Sequence, residues 1–297
     1  MRKVPPIKMG TLRVIILGLM VTGLTRSQPE PPPFIFEYEQ SHSIPAGTID
    51  EASGMADSRS MPGHLWVQED GNNPNRLSLI NYQGQLKGRV NLPFPNRDWE
   101  DMDLFFNKKD STNYIYLADT GDNLQQYPEY YIYRFKEPTS VNEEVTKYDR
   151  IVFYYPEGSR DTEAILIEPH TQDIYVITKS PGLSKLYKLA YPQKYDSPMP
   201  AMYVCDLPMY MITSGDFSAD GKQIILRNYT TMYLWNRDDV NEPIQDVIYS
   251  SYKLMLPYVF EPQGEAVCFE KNGKGYFTLG EKFKLLPSQL FYFARKK

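Results

Sequence analysis

Five short segments of this 297-residue chain share one form, an acidic residue close to the start of an apolar strand. They are DEASGMA (50–56), DWEDMDLF (98–105), DTEAILI (161–167), SGDFSAD (214–220) and QGEAVCF (263–269). The marking acids are Glu51, Glu100, Glu163, Asp216 and Glu265, spaced 49, 63, 53 and 49 residues apart. Such a repeat constrains the fold more tightly than composition does. A unit of this size cannot bury its own apolar faces and has to stack on copies of itself. The interval fits four short strands and their turns, the size of one β-propeller blade.

The strands are readable inside each unit. LWVQED (65–70), RLSLINY (76–82) and LKGRVNL (86–92) follow Glu51; YIYLAD (114–119), YYIYRF (130–135) and RIVFYY (150–155) follow Glu100. DIYVITK (173–179), KLYKLAY (185–191) and AMYVCDL (201–207) follow Glu163, and QIILRNY (223–229), TMYLWN (231–236) and DVIYSSYKL (246–254) follow Asp216. Gln83-Gly84, Asp220-Gly221 and Asn272-Gly273 read as hairpin turns. After Glu265 only GYFTLGE (275–281) and QLFYFAR (289–295) remain, one strand short of a blade. FIFEYEQ (34–40) supplies it from the other end of the chain, which closes the ring and covers an exposed sheet edge. The expectation is an all-β chain forming one domain over residues 28–297, a single propeller of five four-stranded blades with the last closed by the N-terminal strand. Six blades, one of them degenerate, is the alternative.

Residues 1–27 stand apart. Arg2, Lys3, Lys8 and Arg13 precede or enter an apolar run, Val14 to Leu24, and no acid occurs before Glu30. This is the layout of a signal peptide, with an uncleaved anchor as the alternative, and predicts a secreted or periplasmic protein. Its removal takes away five basic groups and no acid, leaving 27 basic against 37 acidic groups and a net charge of about −10. Such a charge repels nucleic acid and anionic lipid at long range. No nucleic-acid partner is expected, no membrane contact beyond the signal segment, and the chain is expected to be a monomer. Cys205 and Cys268 read as buried small hydrophobes on strands of different blades, which disfavours a disulfide.

In a propeller the first strand of each blade runs along the channel and the second runs back antiparallel. The starts of the first strands and the ends of the second therefore meet at one face. The first set contributes Glu51, Glu100, Glu163, Asp216 and Glu265; the second contributes Glu69-Asp70, Asp119, Lys179, Arg227-Asn228 and Glu281. Carboxylates crowded around a narrow channel raise one another's pKa or share a cation. An all-oxygen donor set favours Ca²⁺ and leaves zinc without its usual His and Cys ligands. The competing reading is that these acids bond backbone N–H groups at blade junctions and pin the ring. In RDWEDM and ADTGDN, Trp99, Asp119 and Asp122 are placed on the site face, the latter two aimed inward. Lys179 and Arg227 either hold an anionic substrate or pair with neighbouring carboxylates. No G-x-S-x-G elbow, Walker loop or H-E-x-x-H motif is present.

With its acid-led repeat the chain resembles the calcium-containing β-propeller hydrolases. The plan is similar to the five-bladed calcium-activated nucleotidases (apyrases) and, more distantly, to phytase and gluconolactonase/paraoxonase-like propellers. EASGM, RDWEDM, ADTGDN, DTEAI, SGDFSADG and GEAV further resemble a group of secreted bacterial propeller proteins. The resemblance implies a channel Ca²⁺ held by Glu51, Glu100, Glu163, Asp216 and Glu265. It also implies hydrolysis of a small anionic (phospho)ester, with Glu100 or Asp119 as base and Lys179, Arg227, Trp99 and Asp122 lining the substrate. A non-catalytic propeller that binds a glycan, peptide or partner protein through a structural ion is the rival, and a lactonase-type enzyme a third reading.

Overall fold

A computed structural model describes residues 35–250 and 253–296, the side chain of residue 250 excepted. The expected signal segment, 1–27, lies outside the described residues. Five small antiparallel sheets form the body, and in four of them the strands follow chain order outward from the axis. Blade I comprises Ala52–Asp57, His64–Glu69, Arg76–Asn81 and Leu86–Asn91. Blade II comprises Trp99–Asn107, Thr112–Asp119, Tyr130–Lys136 and Asp149–Tyr154. It gains a fifth, two-residue strand, Met199–Pro200, parallel to its outer edge. Blade III comprises Thr162–Ile167, Ile174–Thr178, Lys185–Leu189 and Met202–Asp206. Blade IV comprises Ile212–Phe217, Gln223–Asn228, Met232–Asn236 and the short Leu254–Met255.

Blade V joins Gly264–Phe269, Gly275–Gly280 and Gln289–Arg295 to Phe36–Ser43, from the other end of the chain. Phe36 pairs with Arg295 and Ser43 with Gln289, in antiparallel register. The first strand of each blade packs on that of the next, and blade V on blade I, so the ring is closed. This is the five-bladed propeller that the repeat predicts.

The hydrophobic core lies between blades. Five buried clusters occur, one per junction, each assembled from two neighbouring blades. Trp66, Trp99 and Trp235 are fully buried in them. Each fully buried large apolar side chain contributes about 1.5–3 kcal/mol, so the junctions, more than the separate sheets, hold the ring together. Both cysteines are buried and free. The hairpin glycines Gly84, Gly221 and Gly273 have φ of 72°, 70° and 72°, as their turns require.

One element departs from expectation. Residues 246–254 read as the fourth strand of blade IV, but Ile244–Ser250 is an α-helix, and only Leu254–Met255 pairs with the sheet. Ile244, Val247 and Ile248 are buried against the junction of blades III and IV, at helical rather than alternating spacing. Pro243 opens the helix, and its carbonyl accepts from Asp246 N and Val247 N. Among the described residues no helix is long and apolar enough to cross a membrane.

Candidate metal centre at the channel mouth

Each first strand pairs with its second strand through a register shift at the same place. The shift lies between Ala52 and Gly54, Trp99 and Met102, Thr162 and Ala164, Ile212 and Ser214, and Gly264 and Ala266. Such bulges re-aim a side chain and are common beside active sites. The residue after the first paired one is therefore equivalent in all five blades: Ser53, Glu100, Glu163, Thr213 and Glu265. This corrects the alignment drawn from sequence. Glu100, Glu163 and Glu265 share one level of the channel. Glu51 precedes the matching residue by two and is exposed, accepting from Asn73 Nδ2 at 2.6 Å. Asp216 follows it by three and lies nearer the far end. Blades I and IV place hydroxyl residues at the shared level, where an acid was expected.

Among the described residues, five of the mouth carboxylates form two overlapping triads. Asp70, Asp98 and Glu100 each offer one oxygen, all within 4.8 Å of one another. Glu100, Asp161 and Glu163 do the same, so Glu100 belongs to both triads. Asp98 and Asp161 each stand two residues before the channel glutamate of their blade, giving D-x-E in blades II and III. Asp70 follows the second strand of blade I. Lys179, at the end of the second strand of blade III, is the cation among them, with Nζ 2.5 Å from Glu163 Oε1. Burial works against its charge, but Glu163 and Glu265 outweigh that and push its pKa up, so it stays charged.

The chain is shaped to bring these oxygens close. A Cβ at Gly121 would overlap both Glu100 Oε1 and the Asp98 carboxylate, and one at Gly71 would overlap Asp98 Oδ1. A side chain at either position would push these carboxylates out of their present places. Asp98 is also oriented through its backbone, because Asp98 N donates to Asp119 Oδ1 at 2.9 Å, and Thr120 N and Gly121 N donate to Asp98 O at 3.1 Å each. Asp119 is fully buried, and Arg97 Nη2 donates to its carbonyl at 3.1 Å. Arg97 in turn lies over the Tyr127 ring, 4.1 Å from its centroid. Asp119 thus positions Asp98, and its own Oδ2 is buried without a hydrogen-bond partner.

The electrostatics follow from this crowding. Burial, then Glu163, Asp70 and Asp98, push the Glu100 carboxyl well above its usual range. Glu163 is also well above it, mainly through burial and despite Lys179. Asp98 rises to about 6 through burial and its neighbours Asp70, Asp161 and Asp119. Glu281, at the end of the second strand of blade V, is raised to about 8 by burial, Glu265, Asp70 and Glu51. Glu265 Oε2 is buried without a hydrogen-bond partner. A multivalent cation would relieve these groups together. The donors are all carboxylate oxygens, which suits a hard ion, and the glycine cradle supplies the close approach that coordination needs.

Deeper in the channel the acids behave differently. Asp101 Oδ2 accepts Ile165 N at 3.1 Å, Asp103 Oδ2 accepts Ile167 N at 2.7 Å and Asp216 Oδ2 accepts Phe269 N at 2.7 Å. Each bond joins one blade to the next. Ser214 Oγ donates to Asp101 Oδ1 at 3.1 Å, linking blades II and IV across the axis. The junction-pinning role weighed from sequence is therefore real, and it belongs to this set, Asp216 included. At the far end Asp103 and Asp216 line a cavity with Asp57, Arg59 and Lys271.

Three further expectations are corrected. Trp99 is fully buried, packs on Phe94 and donates to Pro95 O at 3.0 Å, so it lines no substrate. Arg227 is fully buried, donates to Ala266 O at 2.8 Å and lies 3.5 Å from Glu261. It ties blade IV to blade V, as Gln68 ties I to II by donating to Glu100 O at 2.8 Å. Asp122 accepts from Gln126 N, Tyr127 N and Tyr130 OH, and so fixes its own loop. Sequence reading passed over Asp161 and left Asp98 out of the ligand set. The repeated D-x-E of DWE and DTE was the available signal.

No family model matches the chain, and no curated protein does. Among solved structures, the PQQ-bound form of aldose sugar dehydrogenase from Streptomyces coelicolor matches with a TM-score of 0.51 and 8% identity. The match covers 87% of this chain and 97% of that one. At that identity the likeness speaks for the fold alone, and it agrees with the closed ring of blades described above.

Proposed function

We propose that this chain is an exported, calcium-binding β-propeller that hydrolyses a small anionic ester, with a phosphoester as the best-fitting class, at the mouth of its channel. The observation that carries the reading is the pair of carboxylate triads sharing Glu100, with Lys179 beside them. Asp70, Asp98, Glu100, Asp161 and Glu163 would hold the ion, a set that replaces Glu51 and Asp216 of the sequence-based one. A bound Ca²⁺ supplies Lewis-acid polarisation of an ester oxygen and lowers the pKa of a coordinated water. Lys179 offers positive charge to the anionic group while Glu163 fixes its position. Export rests on the basic and apolar pattern of residues 1–27.

The rival reading keeps the ion and drops the chemistry, the mouth binding a glycan, peptide or protein without turnover. The burial of Arg227 favours it, because one of the two basic groups expected to hold an anion is unavailable. Elemental analysis, melts with and without a chelator, and an ester and phosphoester panel distinguish the two. Hydrolysis that needs calcium and is abolished in Glu100→Gln, with the ring still folded, supports the enzyme. A calcium-dependent melt without turnover supports the binding module. Absence of both calcium and any calcium-dependent melting shift sinks both.

A further inference from the structure

The five triad carboxylates are spread too widely for one ion. Ligands on opposite sides of a calcium ion stand about 4.6–5.2 Å apart, twice the usual Ca–O distance. The mouth oxygens meet that limit as two groups of three, Asp70 with Asp98 and Glu100, and Glu100 with Asp161 and Glu163, and not as one group of five. Formal charge agrees. Five carboxylates and the Lys179 ammonium sum to −4 when ionised; one divalent cation leaves −2, and two bring the sum to zero.

Several of these side chains have one oxygen engaged and the other left over. Asp161 Oδ1 accepts Asp122 N at 2.9 Å, Asp70 Oδ1 accepts Gly71 N, and Ser53 Oγ donates to Glu100 Oε2 at 3.3 Å. Glu100 Oε1 and the Asp98 carboxylate meet beside Gly121. An independent sign comes from blade V. Glu265 stands at the channel level of Glu100 and Glu163, is 6% exposed, and keeps its Oε2 buried without a hydrogen-bond partner. Lys179 and Asp70 act on its charge across the mouth. A buried acceptor left bare costs free energy until a donor or cation reaches it. The two triads are also unequal. Glu163 Oε1 already receives Lys179 Nζ at 2.5 Å, whereas among the described residues no ion pair reaches Asp70, Asp98 or Glu100.

We propose that the mouth holds two divalent cations, one in each triad, with the Glu100 carboxylate bridging them and the ion beside Lys179 the more weakly held. This rests on the mouth being a metal centre and deepens that reading. The pair stands at the spacing of two-metal sites, about 3.5–4 Å. Glu265 offers the ion of the Glu163 triad its unpartnered oxygen. Lys179 lowers the affinity of that same ion, because it shares Glu163 and repels a second positive charge.

Calcium titration of chelator-stripped protein by calorimetry, with elemental analysis of the dialysed complex, tests the proposal. Two ions per chain are expected, in steps whose affinities differ by about tenfold or more. Asp98→Asn and Asp161→Asn should each leave one ion per chain, while Glu51→Gln keeps both. Lys179→Met should tighten the weaker step about fivefold or more and move the stronger by less than about twofold. A weaker step unmoved by Lys179→Met would overturn the ranking of the two ions. Manganese as a spin probe reads the bridge without any variant: at two equivalents the wild type should show an exchange-coupled pair by electron paramagnetic resonance. One ion per chain in the wild type, or two without exchange coupling, would overturn the proposal and leave a single-ion centre standing. No bound ion would sink the metal centre with it. Two ions retained in both Asp98→Asn and Asp161→Asn, with melts showing each variant folded, would place an ion elsewhere and overturn the proposal too.

Discussion

The mouth and the middle of the channel use the same residue type for opposite ends. Asp101, Asp103 and Asp216 each accept a backbone N–H of the following blade, and Asp101 also takes a hydroxyl from across the axis. Asp70, Asp98, Glu100, Asp161 and Glu163 instead face one another, with Lys179 as their nearby counter-charge. Asp161 serves both ends, its Oδ1 also accepting Asp122 N of the preceding blade at 2.9 Å, and Asp70 Oδ1 accepts Gly71 N. A buried carboxylate that accepts backbone donors is structural, because its removal orphans those donors. A buried carboxylate that faces other carboxylates destabilises the ring unless a cation joins it. The difference teaches that an acid's depth in the channel, more than its presence in a motif, decides its role.

The comparison breaks most visibly at Asp101. Asp101→Ala leaves Ile165 N, Met102 N and Ser214 Oγ without their acceptor and should cost about 3 kcal/mol in denaturant unfolding. The calcium-induced rise in melting temperature should survive in that variant, and its loss would mean that the two levels are not separable. Gly121→Ala should do the reverse. Its methyl group meets the Glu100 and Asp98 carboxylates, so calcium affinity by calorimetry should fall about tenfold or more, with a smaller change in stability.

A pH series sharpens the contrast. The folded pKa of Asp98 is raised to about 6 and that of Glu281 to about 8. Folding therefore holds protons that the unfolded chain has released, and stability falls as pH rises through these values. The chelated protein should lose several degrees of melting temperature between pH 5 and pH 8. Calcium should restore the share due to the mouth acids, with more effect at pH 8 than at pH 5. It should leave the share of the deeper Asp57 and Asp103, also raised to about 6. An equal calcium effect at both pH values would count against the mouth as the ion site. The smallest effect belongs to Glu51→Gln. With its side chain exposed, it should move stability by less than about 0.5 kcal/mol and leave calcium affinity within about twofold.

The ring was legible because its signals are local and repeated. Each blade announces itself by strand length, turn residues and period, and the shortfall after Glu265 pointed to the N-terminal strand. The helix Ile244–Ser250 escaped because Val247, Ile248 and Tyr249 also look like strand residues, while its core face shows only in the spacing of Ile244, Val247 and Ile248. The site was half legible. Searching for acids pulled the frame to Glu51 and Asp216, although the equivalent residues are Ser53 and Thr213. A bulge adds a residue without any composition signature, so the level of a side chain in the channel cannot be counted from the nearest acid. Trp99 and Arg227 were misread for a related reason. Both lie next to the mouth in sequence, yet they point into blade junctions.

Closure of blade V by Phe36–Ser43 has a consequence for how the molecule is made. The strand near the beginning of the chain finds its partner, Gln289–Arg295, only after almost everything else has been synthesised. Until then the Gln289–Arg295 edge and the flank of the closing strand cannot be matched, and the circle has a gap.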